Sequence, residues 1–332
     1  MIFIFLVSAF AAIPVVVIAA DKDPLIRQLE SVATADTLVF GLRDGDGRSM
    51  DCLKVFQPIR EATPGTYYGV YHYRKNGIFA VHLARSKDLI NWEHITSLDD
   101  HGSQPTVWTS DRGAYLLAYE KDKPNSCWIR VRSYKNLSDL LGEKSEYEFD
   151  ISRTLAPTAE GTPSIESVKW EDERMEPSEV KLRFHFYKNV DVDQLAQGRL
   201  TDFKSWEAEP ASAINAEFIK RGWHGNLGDR DKFVWDDKAY YLQEIQKKKN
   251  DWSSWRVCLC DETGMPIHAL SIRTAGGSTA FANPNTTWIT DADGQRKLVV
   301  TLFLPSEGNA STEAGTLLYV INPSTTKSTP KQ

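Results

Sequence analysis

The stretches "ARSKDLINWEHI" (Ala84–Ile95) and, far along the chain, "GRLTDFKSWEA" (Gly198–Ala208) carry an aspartate and a Trp-Glu pair at one spacing: Asp88 with Trp92-Glu93, and Asp202 with Trp206-Glu207. Spacing kept at two distant places marks a repeated structural unit. In such a unit the aspartates serve turns, accepting hydrogen bonds from nearby backbone amides. The tryptophans pack between neighbouring sheets, because they bury a large area and their N–H needs a partner. Neither motif is assigned any chemistry.

From Thr63 onward the chain reads as short strands separated by turn signals, among them "TYYGVYHY", "IFAVHLARS", "AYLLAYE", "KLRFHFYKN", "AYYLQEIQ" and "KLVVTLFLP". Aromatic and β-branched alternation dominates, and a helical period shows only briefly, in "DPLIRQLESVA" (Asp23–Ala33) and "NLSDLLG" (Asn136–Gly142). One strand-turn-strand unit recurs, beginning at "MDCLKVF" (Met50–Phe56), "SQPTVW" (Ser103–Trp108), "GTPSIESV" (Gly161–Val168), "DRDKFVW" (Asp229–Trp235) and "ANPNTTW" (Ala282–Trp288). Five copies at roughly 50–60 residues suit a radial repeat of four-stranded blades. The expected fold is therefore all-β, a five-bladed β-propeller over residues 34–325, with a leading segment at 21–33 and a tail at 326–332.

The chain has 332 residues, 41% hydrophobic and 25% charged, the balance of a soluble globular protein. Its formal charge of -6 and single basic run, Lys247–Lys249, exclude a nucleic-acid partner, which would need a clustered cationic surface. Residues 1–20 carry no charge and end in Ala19-Ala20 before Asp21, which reads as a secretory signal cleaved near Ala20. About 20 apolar residues could instead anchor the chain in a bilayer, but Pro14 interrupts the run. Cleavage leaves a secreted, extracellular domain with no membrane association. Three glycosylation triplets, at Asn136, Asn285 and Asn309, agree with export. Four cysteines, Cys52, Cys127, Cys258 and Cys260, allow three pairings or none, and any bridge would join neighbouring units.

The segment "GTYYGVYHY…GIFAVHLARSKDLINWE" resembles the first blade of the five-bladed propeller glycosidases, glycoside hydrolase families 43 and 32 and their relatives. The likeness runs from about residue 40 to 322. It implies carboxylates on the inner strands of different blades, pointed into a funnel at one end of the axis. Asp51 takes the place of the first-blade aspartate, with Cys52 where a proline usually follows. The second and fifth blades offer Gln104-Pro105 and Asn283-Pro284. Glu160 in "AEGTPSI" resembles the Glu-Gly-Pro acid motif of family 43 with one residue inserted, and Arg230-Asp231 in "GDRDKFVW" resembles the Arg-Asp-Pro motif of family 32 without its proline. Both lie in other blades than in those families, which points to a separate, related family.

Glycoside hydrolysis needs one carboxylic acid to protonate the leaving oxygen and one carboxylate to attack or to activate water. The acidic residues expected at the inner mouths are Asp51, Glu160, Asp229 and Asp231. Glu160, set among Ala156, Pro157 and Ala159 and followed by Gly161, is the expected acid, since apolar surroundings raise a carboxyl pKa. Asp231, beside Arg230, is the expected base or nucleophile, and Asp51 the orienting third group. A second ring of His72, Glu120, His185 and Glu244 is expected to bind sugar hydroxyls with Gln104, Arg230 and Asn283, while Trp223, His224 and Tyr73 offer platforms for a sugar face. A carbohydrate substrate, a monomer and no cofactor are expected; a zinc site is not, for want of a second Cys/His pair at ligand spacing, and a structural calcium ion at the axis is left open. Two other readings stand beside this one: a lyase using His72, His185 and a tyrosine, and a noncatalytic glycan-binding propeller.

Overall fold

The computed structural model describes residues 23–60, 63–171, 176–187 and 191–323. The expected signal segment and the tail at 326–332 lie outside the described residues. Helix α1 (Pro24–Glu30) opens the described chain, with proline at its first turn and Asp23 accepting from the Leu25 amide at 2.8 Å. Strand β1 (Leu38–Val39) follows.

The first blade is β2 (Asp51–Phe56), β3 (Tyr67–Lys75), β4 (Ile78–Ser86) and β5 (Trp92–Asp100). The second is β6 (Gly102–Thr109), β7 (Tyr115–Lys123), β8 (Ser126–Tyr134) and, after helix α2 (Leu137–Leu141), β9 (Tyr147–Asp150). The third is β10 (Glu160–Glu171), β11 (Glu176–Tyr187), β12 (Asp193–Thr201) and β13 (Ser205–Pro210). Helix α3 (Ser212–Lys220) leads to the fourth, β14 (Leu227–Trp235), β15 (Lys238–Gln246), β16 (Trp255–Cys260) and β17 (Pro266–Ala269). The fifth is β18 (Ala282–Thr290), β19 (Arg296–Leu304) and β20 (Gly315–Ile321), completed by β1, which pairs antiparallel with β20. An N-terminal strand thus closes the ring, and radial closure leaves each blade with short, protected edges.

Alternation along every strand puts one apolar face toward each neighbouring blade. The buried core accordingly divides into clusters, one at each junction between blades. Leu25 and Leu29 of α1 fill the junction of the fourth and fifth blades, and the Tyr319 hydroxyl donates to Leu29 O at 3.0 Å. Trp92 packs between the first and fifth blades, and Trp206 between the second and third. The repeated motif works differently in its two copies. Asp88 accepts from the Ile90 and Asn91 amides at 2.9 and 2.7 Å, whereas Asp202 makes its turn with a left-handed φ of 51° shared by Phe203. Helix α3 was not expected; its apolar contacts rest on Ile214 and Phe218 alone, and the buried Asn215 ties it to both backbone groups of Leu195.

Candidate active site

All five inner strands bulge at the same place. Their register against the second strand slips between Asp51 and Lys54, Ser103 and Thr106, Gly161 and Ser164, Leu227 and Arg230, and Ala282 and Asn285. Equivalent bulges put Cys52, Gln104, Thr162, Asp229 and Asn283 at one level. Cys52, Gln104, Thr162 and Asn283 have φ of 55°, 52°, 48° and 45°, a left-handed conformation that costs energy for a residue with a Cβ and gathers at functional sites. Pro105, Pro163 and Pro284 follow three of them. The proline place in the first blade is therefore Leu53, so Cys52, not Asp51, faces the axis there. In the fourth blade the axial residue is Asp229, and Asp231 lies two residues deeper.

Contacts between blades that are not neighbours locate the axis. Cys52 Sγ lies 3.3 Å from Asp229 Oδ2, joining the first and fourth blades, and Asn283 Nδ2 donates to Gln104 Oε1 at 3.0 Å, joining the fifth and second. Cys52 Sγ is also in hydrogen-bond contact with Gln104 Oε1. One step deeper Lys54 Nζ meets Asp231 Oδ2 at 2.5 Å and donates to Thr286 O at 2.7 Å. The same Asp231 oxygen accepts from the Thr286 amide and hydroxyl at 2.7 and 3.0 Å. This buried ion pair plugs the axis below the ring.

The expected second ring has a distinct task in the structure. His72 Nδ1 accepts the Gln104 amide at 3.0 Å, Glu120 Oε2 the Thr162 amide at 3.2 Å, and Glu244 Oε2 the Asn283 amide at 2.5 Å. Each residue latches the bulge of the next blade, satisfying an N–H that the bulge removes from its ladder. Gly161 and Gly228 leave room for two of these carboxyls: a Cβ on the first would land on Glu120, and on the second on Glu244. His185 holds the same place in the third blade without making a latch. Its Nδ1 is buried with no hydrogen-bond partner among the described residues, and its Nε2 is 3.9 Å from Asp193 Oδ1.

Burial dominates the electrostatics of the ring. It raises Asp229 to about 6, against the Cys52 contact and Arg230, and Glu244 to about 8, with the charges of Asp229 and Asp193 adding to it. It also raises Asp51, opposed by the Ser49 hydroxyl and Arg43, and Glu120, opposed by His185. The Cys52 thiol is pushed well up by burial and then by Asp229, Glu244 and Asp51, so three carboxyls share one neighbourhood around it. His72 is lowered by burial to about 3, which keeps its ring neutral as an acceptor for the latch.

The carboxylates singled out from sequence lie apart in their contacts. Glu160 Oε1 accepts the amides of Thr154, Leu155 and Ala156, binding the loop ahead of β10, and its Oε2 is buried without a partner among the described residues. Asp231 belongs to the plug, and its cation is Lys54 rather than Arg230. The Arg230 guanidinium donates to Gly228 O at 2.7 Å and Phe184 O at 3.3 Å. Asp229 and Glu244 were each in view, but only the bulge register and the cross-axis contacts bring them together. All four cysteines are free thiols. Of the glycosylation triplets, Asn285 is buried in the axial wall, Asn309 Nδ2 donates to Ala280 O and Pro305 O, and Asn136 caps α2.

No known family profile and no curated protein sequence matches the chain. Solved structures do share its fold. A glycoside hydrolase superposes with a TM-score of 0.59 at 10% identity, over 90% of this chain and 95% of that one. A thermostable family-43 glycoside hydrolase gives 0.55 at 14%, over 85% and 92%. An exo-1,5-α-L-arabinanase from a bovine ruminal metagenomic library gives 0.51 at 14%, over 82% and 92%. The five-bladed fold expected from the sequence is thus the fold of family-43 glycoside hydrolases, shared at a distance.

Proposed function

We propose that the protein is a secreted glycoside hydrolase whose chemistry takes place at the bulge ring, on the unplugged side of the axis. The observation that carries this reading is the cross-axis contact of Asp229 with Cys52 at 3.3 Å, at the ring where Glu244 of the same blade holds the Asn283 amide. Neighbouring carboxyls with separated pKa values divide into acid and base. Glu244, at about 8, holds a proton at neutral pH and is the general acid; Asp229, at about 6, is ionised there and is the base or nucleophile. Asp51 adds the third charge that tunes the pair. Glu160 and Asp231 then act as a loop clamp and an axial plug, supporting the pair without exchanging protons with substrate.

Turnover of a broad panel of plant, fungal and bacterial glycans tests this, followed by Glu244→Gln and Asp229→Asn in the active case. Each change should lower kcat at least about a hundredfold, the scale of one lost proton transfer. Near-full rates in both variants would show that the chemistry lies elsewhere. A specific observation favours a second reading: four of the five axial places hold Cys52, Gln104, Thr162 and Asn283, and Asp229 and Glu244 are only 5% and 6% exposed. A noncatalytic glycan-binding propeller would show binding that survives Glu244→Gln, with no turnover of any glycan by the wild type.

A further inference from the structure

Strand β15 ends at Gln246, and the chain continues into Lys247, Lys248 and Lys249, a basic run with no counterpart elsewhere in the sequence. Hydrogen bonds from the His224 amide to Lys247 O at 3.3 Å and from the Gly225 amide to Gln246 O at 2.9 Å hold it beside the segment that leads into β14. Both segments stand at the end of the fourth blade that carries the bulge ring. At ~3.3 Å per residue, Lys247 lies about 10 Å along the strand from Glu244, roughly two sugar rings away. There the fold leaves a cavity of about 470 Å³ lined by the three lysines, His224, Asp251 and Ser254. That is the size range of small-molecule sites.

The lining is positive in a chain whose formal charge is -6. It sets Lys247 and Lys248 against one carboxylate, Asp251, whose Oδ1 accepts the Ser253 hydroxyl at 2.5 Å, while the Lys249 ammonium reaches the Tyr187 hydroxyl at 3.5 Å. Lys249 Nζ sits 5.6 Å from the centre of the Tyr187 ring, and Tyr187 is two residues beyond His185 on β11, so the cavity adjoins the axial mouth rather than the outer rim. Like charges gathered in one concavity repel one another and gain from an anion that neutralises them.

We infer that this cavity binds the anionic group of an acidic glycan, a carboxylate or a sulfate, on a sugar that extends outward from the bulge ring. The part of the inference that places a neighbouring sugar in the ring rests on the glycosidase reading; the part that assigns an acidic ligand to the cavity does not.

Calorimetric titration of the full chain with a uronic-acid oligosaccharide, a sulfated oligosaccharide and a neutral one of equal length tests it. At low salt at least one acidic probe should bind about tenfold or more tightly than the neutral one. That advantage should shrink as salt rises toward about 0.5 M, because exposed charges are screened within several ångströms there. The better acidic probe identifies carboxylate or sulfate. K247A/K248A should bring the acidic-to-neutral ratio near unity, and Asp251→Asn, which removes the one opposing charge, should raise it. Equal affinity for acidic and neutral probes, or a ratio untouched by K247A/K248A in a protein of unchanged melting temperature, would overturn the inference. Acidic binding without cleavage would leave the inference standing and remove the glycosidase reading. Cleavage confined to neutral glycans, without acidic binding, would do the reverse.

Discussion

Two levels of the same axis, two residues apart on the same strands, handle buried charge in opposite ways. At the lower level Asp231 meets Lys54 across the axis, and Thr286 satisfies what remains of its oxygen. At the upper level Asp229 faces a thiol, and Glu244 accepts from backbone amides, that of Asn283 among them. Burial outweighs the contacts that oppose it at the upper level and holds the Asp229 and Glu244 carboxyls above their usual range. The lower level is therefore built to hold the blades together. The upper one keeps its carboxyls near the pH at which they can exchange protons, which is where reactive groups are found.

The largest expected difference between the levels is in rate. Glu244→Gln and Asp229→Asn should cost about 10²–10⁴-fold in kcat and leave the urea midpoint near that of the wild type. With groups at about 6 and about 8, activity should rise as Asp229 ionises and fall as Glu244 loses its proton. A kcat profile with no decline above pH 8 would remove Glu244 as the acid. Lys54→Met should do the opposite and act on stability. It leaves Asp231 buried without its cation, a loss of roughly 3–5 kcal/mol in equilibrium unfolding. A midpoint unchanged by Lys54→Met would mean that water or Thr286 alone suffices.

A smaller effect is expected where the upper level is fastened. His72→Leu removes the acceptor of the Gln104 amide and should cost about 1–3 kcal/mol, the penalty of an unsatisfied buried donor. A further effect is spread over pH. Burial raises the folded pKa of Glu244 from the usual 4.5 to about 8. The unfolded chain therefore releases that proton first, and stability should fall as pH rises through this window and level off above it. Glu244→Gln should flatten that slope. A slope that persists in the variant would assign it to Asp229 or Asp51, which shift in the same direction.

The blade plan was legible because it rests on local patterns: alternation, turn residues and one Asp-to-Trp spacing repeated at Asp88 and Asp202. Closure of the ring by β1 was not, since Leu38 and Val39 are too few to announce a strand. Helix α3 was missed for a similar reason, its apolar face being two residues wide. Among the site residues, the sequence led to Glu160 and Asp231 through their neighbours, Gly161 and Arg230. In the structure those neighbours serve other ends: Gly161 makes room for Glu120, and Arg230 binds carbonyl oxygens. His72, Glu120 and Glu244 were picked out as buried polar groups, and their equivalence was real. Their use as latches depends on amides in the next blade, which no single blade contains.

By itself the sequence determined the number of blades, the inner strand of each and the polar residues worth watching, because strand periodicity and turn chemistry act over a few residues. Only the tertiary structure decided which carboxyl faces which partner. A one-residue bulge turns Cys52 rather than Asp51 to the axis, and in the fourth blade it sets Asp229 at the upper ring, two residues above the plugged Asp231. Ring closure then brings residues 177 positions apart, Cys52 with Asp229 and Lys54 with Asp231, into contact. Charge compensation across an axis is a sum over several blades, and a pattern read along one strand does not contain it.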